Sequence, residues 1–334
     1  MGLSLALRLV AATPARAEDA DSGPQPGAVQ VKLTGVLRRD FGVTRYRFAS
    51  TAYVDEAQTV VGRIASELDF PIDVLLGGAA LEVRGVLPSR YTWSLGAEGM
   101  SNLNEDPGLK MRDYDWLTWP GQFDGKFSST ESDASITSRE FGLNGSIEFL
   151  KSAPWSLDLV GAVRAYRLDE DLTGISGWQL DTSYQQVNFN IPDTLALRYS
   201  IHYVISSVGV RARYTPYPGS SVSFSASPGI ASVSDVDDHV LRFKRSTADG
   251  TGFALVTAFD ARLPLHRPST PDRLSLVIGG SYEVASVSAK QTQTWYGDDP
   301  STPGVNDTGT VIRNLPHDIL LRRGSVSVGF QLGI

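Results

Sequence analysis

The last ten residues alternate. Val326, Val328, Phe330, Leu332 and Ile334 take every second position, and Ser325, Ser327, Gly329, Gln331 and Gly333 fill the others. In an extended strand residues i and i+2 point to one face, so this run has an apolar face and a small or polar face. The pattern recurs. Phe141, Leu143, Gly145, Ile147 and Phe149 alternate with Gly142, Asn144, Ser146 and Glu148. Trp155, Leu157, Leu159 and Val163 lie opposite Ser156, Asp158 and Arg164, and Leu274, Leu276, Ile278, Tyr282 and Val284 opposite Ser275, Ser281 and Glu283. The chain reads as all-β.

A sandwich would also alternate, but three features favour a transmembrane barrel. The faces opposite the apolar ones carry scattered charge, as a wet lumen would. Tyr91, Trp93, Trp155, Tyr199, Tyr203 and Tyr214 sit where interfacial girdles are expected. The sequence ends within an alternating run. Short polar or proline turns fall near 87–90, 151–154, 216–219 and 266–272, and longer polar segments near 49–57, 120–132, 171–192, 245–252 and 297–313. Four turns and five loops join ten antiparallel strands, with both termini on the short-turn side. Several strands exceed the roughly 9–11 residues that cross a bilayer, so the barrel is expected to project beyond it.

Composition sets further bounds. There is no cysteine, which excludes disulfides and thiolate metal sites. The net charge of −7 argues against a nucleic-acid partner. Residues 1–17 read as a secretory signal ending at Ala15-Arg16-Ala17, without the usual basic start. Their removal takes away Arg8 and Arg16 and no acids, which moves the charge from −7 to −9. Residues 18–28 read as a flexible lead and 29–334 as one barrel domain.

Two acidic stretches carry the chemistry. In Asp113-Tyr114-Asp115-Trp116 the carboxylates share a strand face, but alternation alone does not say which, because Pro107-Gly108 interrupts the strand before them. In Asp235-Val236-Asp237-Asp238-His239 the three odd-numbered groups share a face. Ser221, Ser223, Ser225 and Ser227 continue that parity, so all three point into the lumen unless a bulge intervenes at Pro228-Gly229. A histidine beside a carboxylate can take a proton from water near neutral pH. The same trio could bind zinc. Either D-x-D pair alone could be a solvated strand end. Ser129 has no histidine near it in sequence, and the acids of 294–309 suit a solvated loop more than a calcium site. His202 lies among apolar residues, and His266 and His317 fall in turn or loop contexts.

With both motifs in this order, the chain resembles the omptins, ten-stranded outer-membrane endopeptidases of Gram-negative bacteria. Residues 66–70, 87–99 and 140–150 resemble further omptin segments. The resemblance implies that His239 is the general base, that Asp237 orients it, and that Asp113 and Asp115 hold the attacking water. It implies that Asp235 helps to bind a basic side chain at the substrate's P1 position. It implies no metal or bound cofactor, with lipopolysaccharide as the activator to test. The implied partners are peptide or protein substrates, cationic ones among them, together with outer-membrane lipid; the implied location is the outer membrane, site facing out. Two departures stand against it. The stretch 42–48, where a partner acid for P1 belongs, is basic, with Asp40, Asp55 and Glu56 only nearby. The lipid A contact motif of the fifth strand is replaced by Ala162-Val163-Arg164-Ala165-Tyr166. The alternative is a catalytically silent barrel, acting as a porin-like channel or an adhesion scaffold.

Overall fold

The structure, a computed structural model, describes residues 29–54, 60–89, 91–104, 108–181, 183–265, 274–301 and 304–333. The expected signal peptide and lead, and His266, lie outside the described residues. The strands are β1 (Val29–Val54), β2 (Val60–Val86), β3 (Thr92–Asn102), β4 (Leu109–Trp119), β5 (Phe123–Ser152), β6 (Trp155–Leu180), β7 (Gln186–Tyr214), β8 (Ser221–His239), β9 (Lys244–Pro264), β10 (Leu274–Trp295) and β11 (Val311–Gly333). All pairings are antiparallel, and β1 pairs with both β2 and β11, which closes the sheet. β3 and β4 each pair with β2 and β5. They are the lower and upper halves of one barrel strand, so the ring has ten positions, as the count of turns and loops predicts. Closure leaves no open sheet edge to solvate, a requirement for spanning lipid with strands.

One end of the barrel wears an apolar coat. Leu33, Leu37 and Phe41 of β1, Phe141 and Leu143 of β5, Leu159 and Val163 of β6, Phe253 and Phe259 of β9, and Val326 and Phe330 of β11 are exposed on the outer wall. Trp155 packs on Tyr214 at the short-turn rim, 4.8 Å between ring centres. The strands continue well past this band: β8 has 19 residues and β5 has 30.

Several expectations change here. The polar segments at 120–132, 171–192 and 245–252 are mostly strand, with connections at 120–122 and between the ends of β6 and β7 and a 3₁₀ turn at Val240–Arg242. Beyond the bilayer both sheet faces meet polar surroundings, so alternation fades and strand reads as loop. Tyr199 and Tyr203 do not join a girdle. Both point inward and are buried.

The lumen at the upper edge of the apolar band is filled. Glu140 accepts from Arg323 at 2.9 Å and pairs with Arg164 at 3.1 Å and with Arg38. Arg164 also reaches Glu283 at 3.1 Å, Tyr166 donates to Glu283 at 3.1 Å, and Arg323 lies over the Tyr166 ring at 4.0 Å. Arg164 and Tyr166 therefore turn inward, and Val163 and Ala165 are what this stretch shows to lipid. Nearer the short turns, Asp158 is clamped by Arg211 at 2.7 Å and Arg213 at 2.6 Å. Each of the buried charges just named has an opposite partner, without which its burial would be prohibitive.

Candidate active site

Cross-strand neighbours in an antiparallel sheet share a face. Asp113 is opposite Leu68 and Asp115 is opposite Ser66 of β2, and both neighbours are buried inside. That register settles the direction of the acid pair: inward. Ser66 Oγ donates to Asp115 Oδ1 and lies 3.4 Å from Asp113 Oδ1. Ser128 Oγ donates to Asp115 Oδ2 at 2.6 Å. A register shift between Asp115 and Trp116 marks a bulge beside the pair. Asp115 is thus well supplied with donors and Asp113 is not. Burial, then the charges of Asp115 and Asp237, push Asp113 well above the usual carboxylate range, against weaker opposition from Lys244 and Ser66. Asp113 is the member that keeps a proton as pH rises.

The other wall is β8. Its register with β9 runs without a shift through Pro228 and Gly229, so the odd-numbered parity holds to His239. Asp237 is 1% exposed. Its Oδ2 accepts from the Tyr46 hydroxyl and lies 3.1 Å from His239 Nε2; its Oδ1 has no partner among the described residues. Burial works against the Asp237 charge, but His239, Tyr46 and Lys244 outweigh it and hold its pKa below the usual value. With Nε2–H given to Asp237, the lone pair of His239 resides on Nδ1, and that is the basic atom. Burial pushes the His239 pKa below that of a free imidazole; Asp237 opposes this, and Lys244 and Arg242 add to it.

An aromatic floor lies beneath both walls. Phe70 of β2 stacks on Tyr199 of β7 at 3.8 Å, across the lumen. Tyr46 of β1 packs on Phe70 at 5.7 Å, Tyr199 at 5.9 Å and His317 at 4.7 Å. Opposite walls touch here, so the space above is a cleft with a closed base.

Asp235 lies one inward position below Asp237 and is 3% exposed. Its Oδ2 is held by His317 Nε2 at 2.9 Å and faces the Tyr199 hydroxyl at 3.4 Å. His317 is therefore a buried strand residue of β11 and not a loop histidine. His202 is also not in an apolar setting: it is exposed on the outer wall, opposite Arg167. The basic stretch 42–48 turns its charges outward. Arg45 pairs with Asp69 and Glu67, and Arg47 lies over Trp116 at 6.0 Å, whereas Thr44 and Tyr46 face in. Asp40 faces in too, lower down among Arg38 and Arg323. Among the described residues no group of three His, Asp or Glu side chains has metal-holding geometry.

No family model and no curated protein matches the chain. Among solved structures, the outer membrane protease OmpT from Escherichia coli aligns over 91% of this chain and 97% of that one, with a TM-score of 0.68 at 16% identity. The chain has the omptin fold. The translocator domain of the autotransporter NalP from Neisseria meningitidis aligns over 93% of this chain and 90% of that one, with a TM-score of 0.34 at 9% identity. On the omptin fold, the site lies at the end of the barrel away from the short turns and beyond the apolar band.

Sequence reasoning missed Tyr46, Ser66, Ser128, Lys244 and His317 around this site. Tyr46 had a signal, since even-numbered β1 residues face in. Lys244 had none, because its direction depends on a hairpin turn tighter than the polar segment suggests.

Proposed function

We propose that the protein is an outer-membrane endopeptidase whose cleft opens to the cell exterior. The observation that carries this reading is the inward-facing Asp237–His239 pair set opposite Asp113 and Asp115 above a closed floor. A peptide enters the cleft from the long-loop end. Asp113 and Asp115 hold a water against the scissile carbonyl. His239 Nδ1 takes one proton from that water as its oxygen bonds to the carbonyl carbon, and the carbonyl π pair moves onto oxygen. Asp237 stays ionised and stabilises the imidazolium. The tetrahedral intermediate then re-forms C=O and breaks C–N, and His239 returns the proton to the leaving nitrogen. Water is the nucleophile throughout, so no covalent enzyme intermediate forms.

The charge left after removal of residues 1–17, −9, favours cationic peptides. A basic P1 side chain would reach Asp235 only by displacing His317, so its preference is modest. Lipopolysaccharide is the proposed activator. It would meet an outer wall whose basic groups, Arg139 and Arg167, sit opposite each other just beyond Phe141. The porin-like alternative is disfavoured by the charge-filled lumen.

The test is hydrolysis of a mixed peptide library by the purified barrel, with and without lipopolysaccharide. Cleavage that His239→Ala and Asp237→Asn abolish supports the reading. No cleavage by the folded wild type removes it; wild-type cleavage in the folded His239→Ala protein removes the His239 mechanism, as does activity lost to a chelator and restored by zinc.

A further inference from the structure

Lys244 is the first residue of β9. It sits opposite His239 in the β8 ladder and opposite Trp295 in the β10 ladder. It is 5% exposed, and its Nζ lies 5.9 Å from the centre of the Trp295 ring. No carboxylate lies within ion-pair distance of it among the described residues. The charged groups facing it are Asp237 and His239 from β8, Arg242 from the 3₁₀ turn, and Asp113 and Asp115 from β4. A buried ammonium without a direct partner is costly, and a cation–π contact compensates only in part. Mere neutralisation of the acids would place the ammonium on one of them. This one is held short of all three, next to the general base.

We propose that Lys244 is a catalytic residue: its ammonium stabilises the anion that forms on the scissile carbonyl oxygen when water adds. The inference rests on the endopeptidase reading above. The step balances. The water proton goes to His239 Nδ1, the carbonyl π pair becomes the oxygen's charge, and Lys244 donates a hydrogen bond to that oxygen without transferring its proton. A fixed cation in a site largely closed to water acts here as an oxyanion hole. Burial first, then Arg242, lowers the Lys244 pKa to about 8, against Asp237, Asp113 and Asp115. The charged form therefore prevails at neutral pH and is lost just above it.

Two measurements on the full-length barrel test this. In the first, Lys244→Met lowers kcat by about 10² to 10³-fold, the range for loss of one oxyanion donor, with KM within a few fold. The wild-type rate falls above pH 8. Lys244→Arg recovers part of kcat and moves that fall upward, and Lys244→Met lacks it. A Lys244→Met protein with near-wild-type kcat, or with the same alkaline fall, overturns the proposal. The second measurement needs no turnover. A phosphinic peptide, whose P–O⁻ mimics the tetrahedral anion, should bind the wild type at least about tenfold tighter than Lys244→Met at pH 7, by calorimetry. The two should converge by pH 10. Equal affinity at pH 7 overturns the role of Lys244. Absence of peptide cleavage by the folded wild type instead overturns the endopeptidase reading, and full cleavage by His239→Ala overturns its mechanism, so the failures are distinguishable. Heat-modifiable mobility in SDS confirms that each variant has folded.

Discussion

The Tyr46 hydroxyl donates to the carboxylate of Asp237 from across the barrel. The two residues are far apart in sequence, and no strand pairing links β1 with β8. The bond leaves Asp237 Oδ2 shared between the phenol and His239 Nε2, so the phenol fixes the carboxylate that fixes the imidazole.

Tyr46→Phe should therefore act through Asp237. Hydrogen bonds to charged groups contribute about 1.5–3 kcal/mol, so a loss of roughly tenfold or more in kcat is expected. Because the Tyr46 bond helps to hold the Asp237 pKa down, the variant should also lose activity earlier on acidification. A kcat and acid limb identical to wild type would detach Tyr46 from the site.

His239→Ala and Asp237→Asn should each reduce kcat by about 10² to 10⁴-fold. Asp113→Ala and Asp115→Ala should act on the same step by misplacing the water, so double variants should lose less than the sum of the singles. All four residues lie beyond the apolar band, so the variants should insert and resist SDS as the wild type does. Strict additivity of the rate losses would separate the two pairs.

On the proposed mechanism the neutral imidazole is the base, so activity should rise with pH through the pKa of His239. That pKa is depressed, chiefly by burial, so the midpoint of the acid limb should lie below 6.5. A midpoint above 7 in the kcat profile would contradict a buried His239 as the base.

Lys244 has a consequence for stability as well. Its folded pKa is about 8 against 10.5 unfolded. The unfolded chain thus binds this proton more tightly, and the penalty grows as pH falls from about 10.5 to 8. At pH 7 it is on the order of 3 kcal/mol. Lys244→Met should unfold later than wild type in denaturant at pH 7, with the gap closing above pH 10. A variant less stable at pH 7 would show that Lys244 serves the fold.

Specificity turns on His317. If it occupies the carboxylate that a basic P1 side chain would use, His317→Ala should raise kcat/KM for P1 arginine relative to P1 leucine. Asp235→Asn should lower that ratio. The matched peptides need only differ at P1. Ratios unchanged in both variants would remove Asp235 from substrate binding.

The alternation determined a good deal without the tertiary structure. The β class and the inward direction of Asp237 and His239 follow from a period of two, because a pleated strand cannot place adjacent side chains on one face, and the ten barrel positions follow from the count of turns and loops. The interruption between β3 and β4 was legible from Pro107-Gly108 in the sequence, since proline cannot donate to a sheet ladder. Only closure of the ring decided the rest. The direction of Asp113 and Asp115 depends on their register against Leu68 and Ser66 of another strand. The lengths of the upper strands are set by pairing, where no lipid enforces alternation. Tyr46 meets Asp237, and His317 meets Asp235, because a narrow barrel brings opposite walls into contact, and the spacing of residues along one strand carries no information about the wall it will face.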